Sequence, residues 1–140
     1  MVDAAGTRPE SVPAREPAGM IRRVLLLEDS MLIALDTQDV LRECGVSDIA
    51  LAANVAQALA ALGEDTPDFA VLDFNLGDET SEPVALALDA AGVPYCFATG
   101  YGDALDRIAV APPYGVLKKP YSQDQIHALL ARVALDRAAG

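Results

Sequence analysis

Positive charge is scarce in this chain: Lys and Arg number 10 against 21 Asp and Glu, for a net charge of -11 at pH 7. Proteins that grip a phosphate backbone generally present a basic patch, so nucleic acid is excluded as an expected partner. Cysteine is nearly absent. Cys44 and Cys96 have neither metal-ligand spacing nor the even framework of a disulfide scaffold, and they read as small buried hydrophobes kept reduced. No uninterrupted apolar stretch is long enough for a membrane span. The first twenty residues also lack a basic start, an apolar segment and a small-residue cleavage site, so a secretory signal is not expected and the cytoplasm is the expected location.

What is present is a hydrophobic fraction of 52% in 140 residues, enough for one buried core. Residues 1–20 form an exception. Pro9, Pro13, Pro17, Gly6 and Gly19 stand there among small and charged residues, so this segment should be a disordered N-terminal arm, with the folded domain over 21–138. From there strand and helix signals alternate: strand 24–27, helix 30–44, strand 49–52, helix 54–62, strand 69–72, helix 83–91, strand 95–98, a weak helix 104–108, strand 115–117 and helix 122–137.

The helices are expected from spacing. Ile33, Thr37, Val40, Leu41 and Cys44 should form the buried stripe of the first, with Gly45 as its stop. Val55, Ala58, Leu59 and Leu62 repeat at i, i+3, i+4, i+7, with Asn54 as N-cap and Gly63 just past the end. Ser122 and Gln125 read as a capping box opening the last helix. Strands apolar on both faces between amphipathic helices imply a parallel sheet covered on both sides. The expected architecture is an α/β, flavodoxin-like (βα)5 doubly wound sheet, for which 2-1-3-4-5 is a common strand order.

That order brings the polar groups at the strand ends together. Glu28 and Asp29 follow the first strand, Asp73 the third, Thr99 the fourth and Lys119 the fifth. Crowded carboxylates repel, so the native state must protonate one or supply a cation, and a divalent ion with oxygen ligands is the economical answer. Mg²⁺ is expected, Mn²⁺ being possible, with the Asn75 backbone carbonyl adding to the shell. A carboxylate can attack phosphorus if the incoming charge is neutralised. Lys119 offers a point charge for this, and Thr99 a hydroxyl donor.

The segments VLLLEDS, VLDFNLGDE, FATGYG and VLKKPY resemble, in order, the signatures of the response-regulator receiver domain of two-component signalling, over residues of about 22 to 138. The resemblance implies that Asp73 accepts phosphate from a histidine kinase or a histidine phosphotransfer protein, as one step of a phosphorelay. It implies also that Glu28, Asp29, Asp73 and the Asn75 carbonyl hold Mg²⁺, and that Thr99 and Lys119 contact the phosphoryl group. Lys119, not Lys118, matches the family's lysine because it precedes Pro120.

The chain departs from the family at Val116, where receivers commonly carry an aromatic switch residue. The Phe-Ala-Thr-Gly run is similar to an atypical single-domain subfamily, and it makes Tyr101 a candidate switch, although Gly102 stands where that subfamily usually has its aromatic. A stand-alone receiver would signal to an unknown downstream protein through the face of the weak helix 104–108, the last strand and the last helix. Two alternatives are a pseudo-receiver binding module and a haloacid-dehalogenase-type phosphohydrolase. The latter uses a second Asp two residues after the first, where this chain has Asn75. His127, the lone histidine, is expected at the edge of the exposed side of the last helix.

Overall fold

The runs Val24-Leu25-Leu26-Leu27 and Phe69-Ala70-Val71-Leu72 are apolar at every position, which suits a strand covered on both faces. The computed structural model describes residues 20–100 and 112–139. In chain order the elements are β1 (Arg23–Leu27), α1 (Met31–Glu43), β2 (Asp48–Ala52), α2 (Val55–Glu64), β3 (Phe69–Asp73), α3 (Glu82–Ala91), β4 (Tyr95–Thr99), β5 (Val116–Lys118) and α4 (Gln123–Ala139). The strands form a parallel sheet in the order β2-β1-β3-β4-β5, as expected for a flavodoxin-like α/β fold. Residues 1–19 of the expected arm, the weak helix near 104–108 and Tyr101 lie outside the described residues.

Side chains along a strand alternate between faces, and the core divides accordingly. Leu25, Leu27, Leu72 and Phe97 face Ala58 of α2 and Val84 and Leu88 of α3. Val24, Leu26, Val71 and Cys96 face Leu41 of α1 and Ile126 and Val133 of α4. Each fully buried leucine contributes roughly 2 kcal/mol, so both layers hold the sheet. Among the described residues no helix is long and apolar enough to cross a membrane.

The caps follow the expected chemistry. Asn54 Oδ1 accepts from Gln57 N at 2.8 Å, and Ser122 and Gln125 bond reciprocally at 3.1 and 2.7 Å. His127 is exposed on α4. Two expectations are corrected. In α1 the buried residues are Ala34, Thr37 and Leu41, whereas Ile33 is 38% exposed: the stripe facing the core runs through 34, 37 and 41, and Ile33 lies about 100° round the helix from Ala34. Gly63 is not beyond α2 but inside it, and the chain turns extended only at Asp65, ahead of Pro67 and the residue it restricts.

The two glycines therefore differ in what a methyl group would do. Gly45 ends α1 with φ of 98°, a left-handed conformation that costs a residue with Cβ about 1–2 kcal/mol. Gly63 sits in a helix with nothing within 4 Å of an added Cβ. In urea denaturation, Gly63→Ala is expected to raise stability by about 0.5 kcal/mol, and Gly45→Ala to lower it by about 1 kcal/mol or more.

Candidate functional site

Strand register carries the polar residues to one edge of the sheet. Leu27 of β1 pairs with Ala52 of β2 and Leu72 of β3, so Glu28 and Asp29 leave the sheet beside Asp73. Asp73 pairs with Ala98, one residue before Thr99. Thr99 pairs with Lys118, and the Lys119 amide donates to the Thr99 carbonyl at 2.7 Å. The five side chains singled out from sequence thus converge at the carboxyl ends of four strands.

Alternation sorts them further. Glu28 continues the series Val24, Leu26; Asp73 continues Phe69, Val71; and Lys119 follows Leu117 by two. All three belong to the face packed by α1 and α4. Thr99 continues Tyr95 and Phe97, on the face packed by α2 and α3. This parity explains why Lys119 touches both carboxylates while the Thr99 hydroxyl stands apart.

Carboxylate oxygens of Glu28, Asp29 and Asp73 lie within 4.8 Å of one another. Glu28 and Asp73 are each 4% exposed, and Asp29 is exposed at the mouth. Lys119 Nζ lies 2.8 Å from Glu28 Oε1 and 3.1 Å from Asp73 Oδ2, while Glu28 Oε2 accepts from the Ser30 amide at 3.1 Å. Lys119 therefore supplies one positive charge to the crowded carboxylates.

Its compensation is incomplete. Burial, and then the negative charge of Glu28, push the Asp73 carboxyl up to about 7 against the opposing pull of Lys119. Burial would lower the Lys119 ammonium, but the hydrogen bond to Glu28 and the charge of Asp73 outweigh it, and its pKa is raised. A buried carboxyl that holds its proton to neutral pH beside two more acidic groups is a site short of positive charge. Its oxygen-only donors, one of them open to solvent, fit a hard divalent cation that retains water.

Thr99 is 1% exposed, and among the described residues its Oγ1 has no hydrogen-bond partner, as is also true of Ser81 Oγ. An unsatisfied buried hydroxyl costs about 1–3 kcal/mol. Asn75 lies on the loop leaving β3 with its Oδ1 accepting from the Gly77 amide at 3.0 Å, so its side chain is engaged locally. Val116 of β5 packs against the α2–α3 core layer. A cleft of about 490 Å³ opens beside Lys119, bounded by Thr37 and Ile33 of α1, Gly100 and Tyr121.

One contact beside the site escaped the sequence reading: Tyr121 Oη lies 2.9 Å from Thr37 Oγ1. No local pattern announces it, since the partners are 84 residues apart.

No family model matches the chain, and no curated protein matches it in sequence. Solved structures do. SdrG from Sphingomonas melonis Fr1 is 36% identical, with 84% of this chain and 98% of that chain covered and a TM-score of 0.68. A CheY-like response regulator receiver domain protein from Methanospirillum hungatei JF-1 shares the fold, with a TM-score of 0.75 at 19% identity, covering 85% of this chain and 98% of its own. The receiver domain of the PhyR response regulator from Erythrobacter litoralis gives 0.72 at 24%, covering 83% and 92%. With the sheet order, the strand-end acidic cluster and its lysine on the same scaffold, the chain belongs to the response-regulator receiver domains.

Proposed function

We propose that this receiver, over residues 21–138, accepts a phosphoryl group on Asp73 from the phosphohistidine of a histidine kinase or phosphotransfer protein. The observation that carries the reading is Lys119 clamped between Glu28 and Asp73, with a Thr99 hydroxyl at the next strand end that has no hydrogen-bond partner among the described residues. A partly exposed apolar patch of Met31, Leu32 and Leu35 at the start of α1 supports a protein as donor.

In the reaction, an Asp73 carboxylate oxygen attacks phosphorus, the phosphorus–nitrogen bond breaks, and the imidazole leaves with the bonding pair and takes up a proton. The product is an acyl phosphate. Transfer of this kind is catalysed mainly by positioning and charge neutralisation. Lys119 would exchange its contact with the Asp73 carboxylate for one with a phosphoryl oxygen, and Thr99 would donate its hydroxyl to another. Glu28, Asp29, Asp73 and the Asn75 carbonyl would hold Mg²⁺, or Mn²⁺, which when bound supplies the remaining positive charge.

The module then supports only its own aspartyl phosphorylation and dephosphorylation. Its output would be a phosphorylation-dependent contact with a downstream protein, in the cytoplasm, with residues 1–20 as an arm outside the receiver unit. Since Val116 removes the usual aromatic from β5, Tyr101 is the candidate switch residue.

With Mg²⁺ present, acetyl phosphate is expected to label the wild type and not Asp73→Asn, as read by intact mass; equal labelling of both would overturn the assignment. No labelling with any donor would leave a binding module.

A pH dependence accompanies it. The Asp73 carboxyl sits near 7 in the folded chain against an ordinary 3.8, so the folded state binds more protons in that interval. The resulting stabilisation is full below the lower value and is lost as pH rises through the higher. In EDTA, wild-type melting temperature should fall relative to Asp73→Asn between pH 5 and pH 8. Millimolar Mg²⁺ should narrow the gap, and parallel profiles would refute the charge deficit.

Thr99→Val should melt at the same or a higher temperature, by about 1 kcal/mol of added stability, because it removes an unsatisfied hydroxyl. Its labelling by acetyl phosphate should nonetheless be slower. A destabilised variant with unchanged labelling would deny the hydroxyl its proposed role.

A further inference from the structure

Lys119 is the long-stemmed group on which the site's charge balance rests, yet the backbone that carries it is weakly held. β5 is three residues long and lies at the sheet edge, and its residues are half-buried or exposed, unlike the fully buried β3 and β4. Past its end, the amide of Lys119 makes one bond, to the Thr99 carbonyl. A flexible four-carbon side chain positions its ammonium only as well as its Cα is positioned.

Two residues farther on, Tyr121 is half-buried, with its ring packed on the core layer shared by α1 and α4. Burial there would be served equally by phenylalanine. The hydroxyl goes further and meets Thr37 Oγ1 at 2.9 Å, on the second turn of α1. Thr37 is buried, and a helical threonine with no such partner would turn its hydroxyl back to the carbonyl one turn earlier.

The same helix is fastened at its start, where the Ser30 amide donates to Glu28, and Glu28 in turn holds Lys119 Nζ. The contacts close a ring: Lys119 to Glu28, Glu28 to the start of α1, along α1 to Thr37, across to Tyr121, and back through Pro120 to Lys119.

We propose that the Tyr121–Thr37 hydrogen bond is a strap that positions Lys119, holding the segment after β5 against α1 so that the ammonium stays between Glu28 and Asp73. Tyr121 and Thr37 are positioning residues and act through the lysine. In its consequence for phosphorylation the proposal rests on the reading of Asp73 as the acceptor; in its consequence for Lys119 it does not.

Two measurements on the full chain separate these. The chain has two lysines, Lys118 and Lys119, which makes amine acylation readable by peptide fragmentation. In metal-free protein treated with a limiting N-hydroxysuccinimide ester, the ratio of Lys119 to Lys118 acylation should rise about threefold in Tyr121→Phe and in Thr37→Val, and stay at the wild-type value in Thr37→Ser, which keeps the hydroxyl. An unchanged ratio in the first two variants would overturn the strap.

The second is the rate of labelling by acetyl phosphate at saturating Mg²⁺. Tyr121→Phe should slow it by about fivefold in the wild-type background while leaving Mg²⁺ affinity unchanged, and by less than about twofold when Lys119 is already alanine. Equal slowing in both backgrounds would show that the tyrosine does not act through the lysine. If the wild type takes no label at all, the acceptor reading fails, and the acylation ratio still decides the strap.

Discussion

A single ammonium shared by two buried carboxylates is the constraint around which this site is built. Glu28 and Asp73 stand at the ends of adjacent strands, where parallel register leaves them no room to separate. Two buried negative charges at that spacing would be strongly unfavourable in isolation. Lys119 reaches between them with short contacts to both, and the compensation remains partial because one positive charge faces two buried negative ones and the exposed Asp29. The folded chain therefore carries an unmet electrostatic demand, directed at a solvent-accessible mouth.

The surrounding scaffold can bear this because its two apolar layers are independent of it. Strands buried on both faces fix β1, β3 and β4 through leucines, valines and aromatics that make no use of the polar edge, including the edge-to-face contact of Phe74 with Phe97 at 5.3 Å. The unsatisfied Thr99 hydroxyl and the raised Asp73 carboxyl are tolerated at the rim of that framework, each costing stability that the core supplies. The first leaves a hydroxyl donor free among the described residues, and the second marks a place where a cation would be bound.

Much of the fold was legible because its signals are local. Three- and four-residue apolar runs marked the strands, Asn54 and Ser122 marked helix starts, and the polar residues after four of those runs marked the edge where the site would form. Errors arose where the deciding contact was not local. Ile33 has the right spacing for a buried stripe but the helix turns Ala34, Thr37 and Leu41 to the core instead, and Gly63 has the composition of a helix stop while α2 runs on to Glu64. The crowding of Glu28, Asp29 and Asp73 was readable once strand order was assumed, but the group that relieves it was not, since a lysine 46 residues after Asp73 gives no sign of which way its ammonium points.

The amino-acid sequence by itself determined the alternation of strands and helices, the two-sided burial of the sheet and the set of polar residues at its carboxyl edge, because period and capping act within a few residues. Only the tertiary structure decided that Lys119 bridges Glu28 and Asp73, that Thr99 stands on the opposite face with no hydrogen-bond partner among the described residues, and that Tyr121 reaches Thr37. Those outcomes depend on register and on the packing of helices against the sheet, which bring together side chains from distant parts of the chain at distances no local pattern encodes.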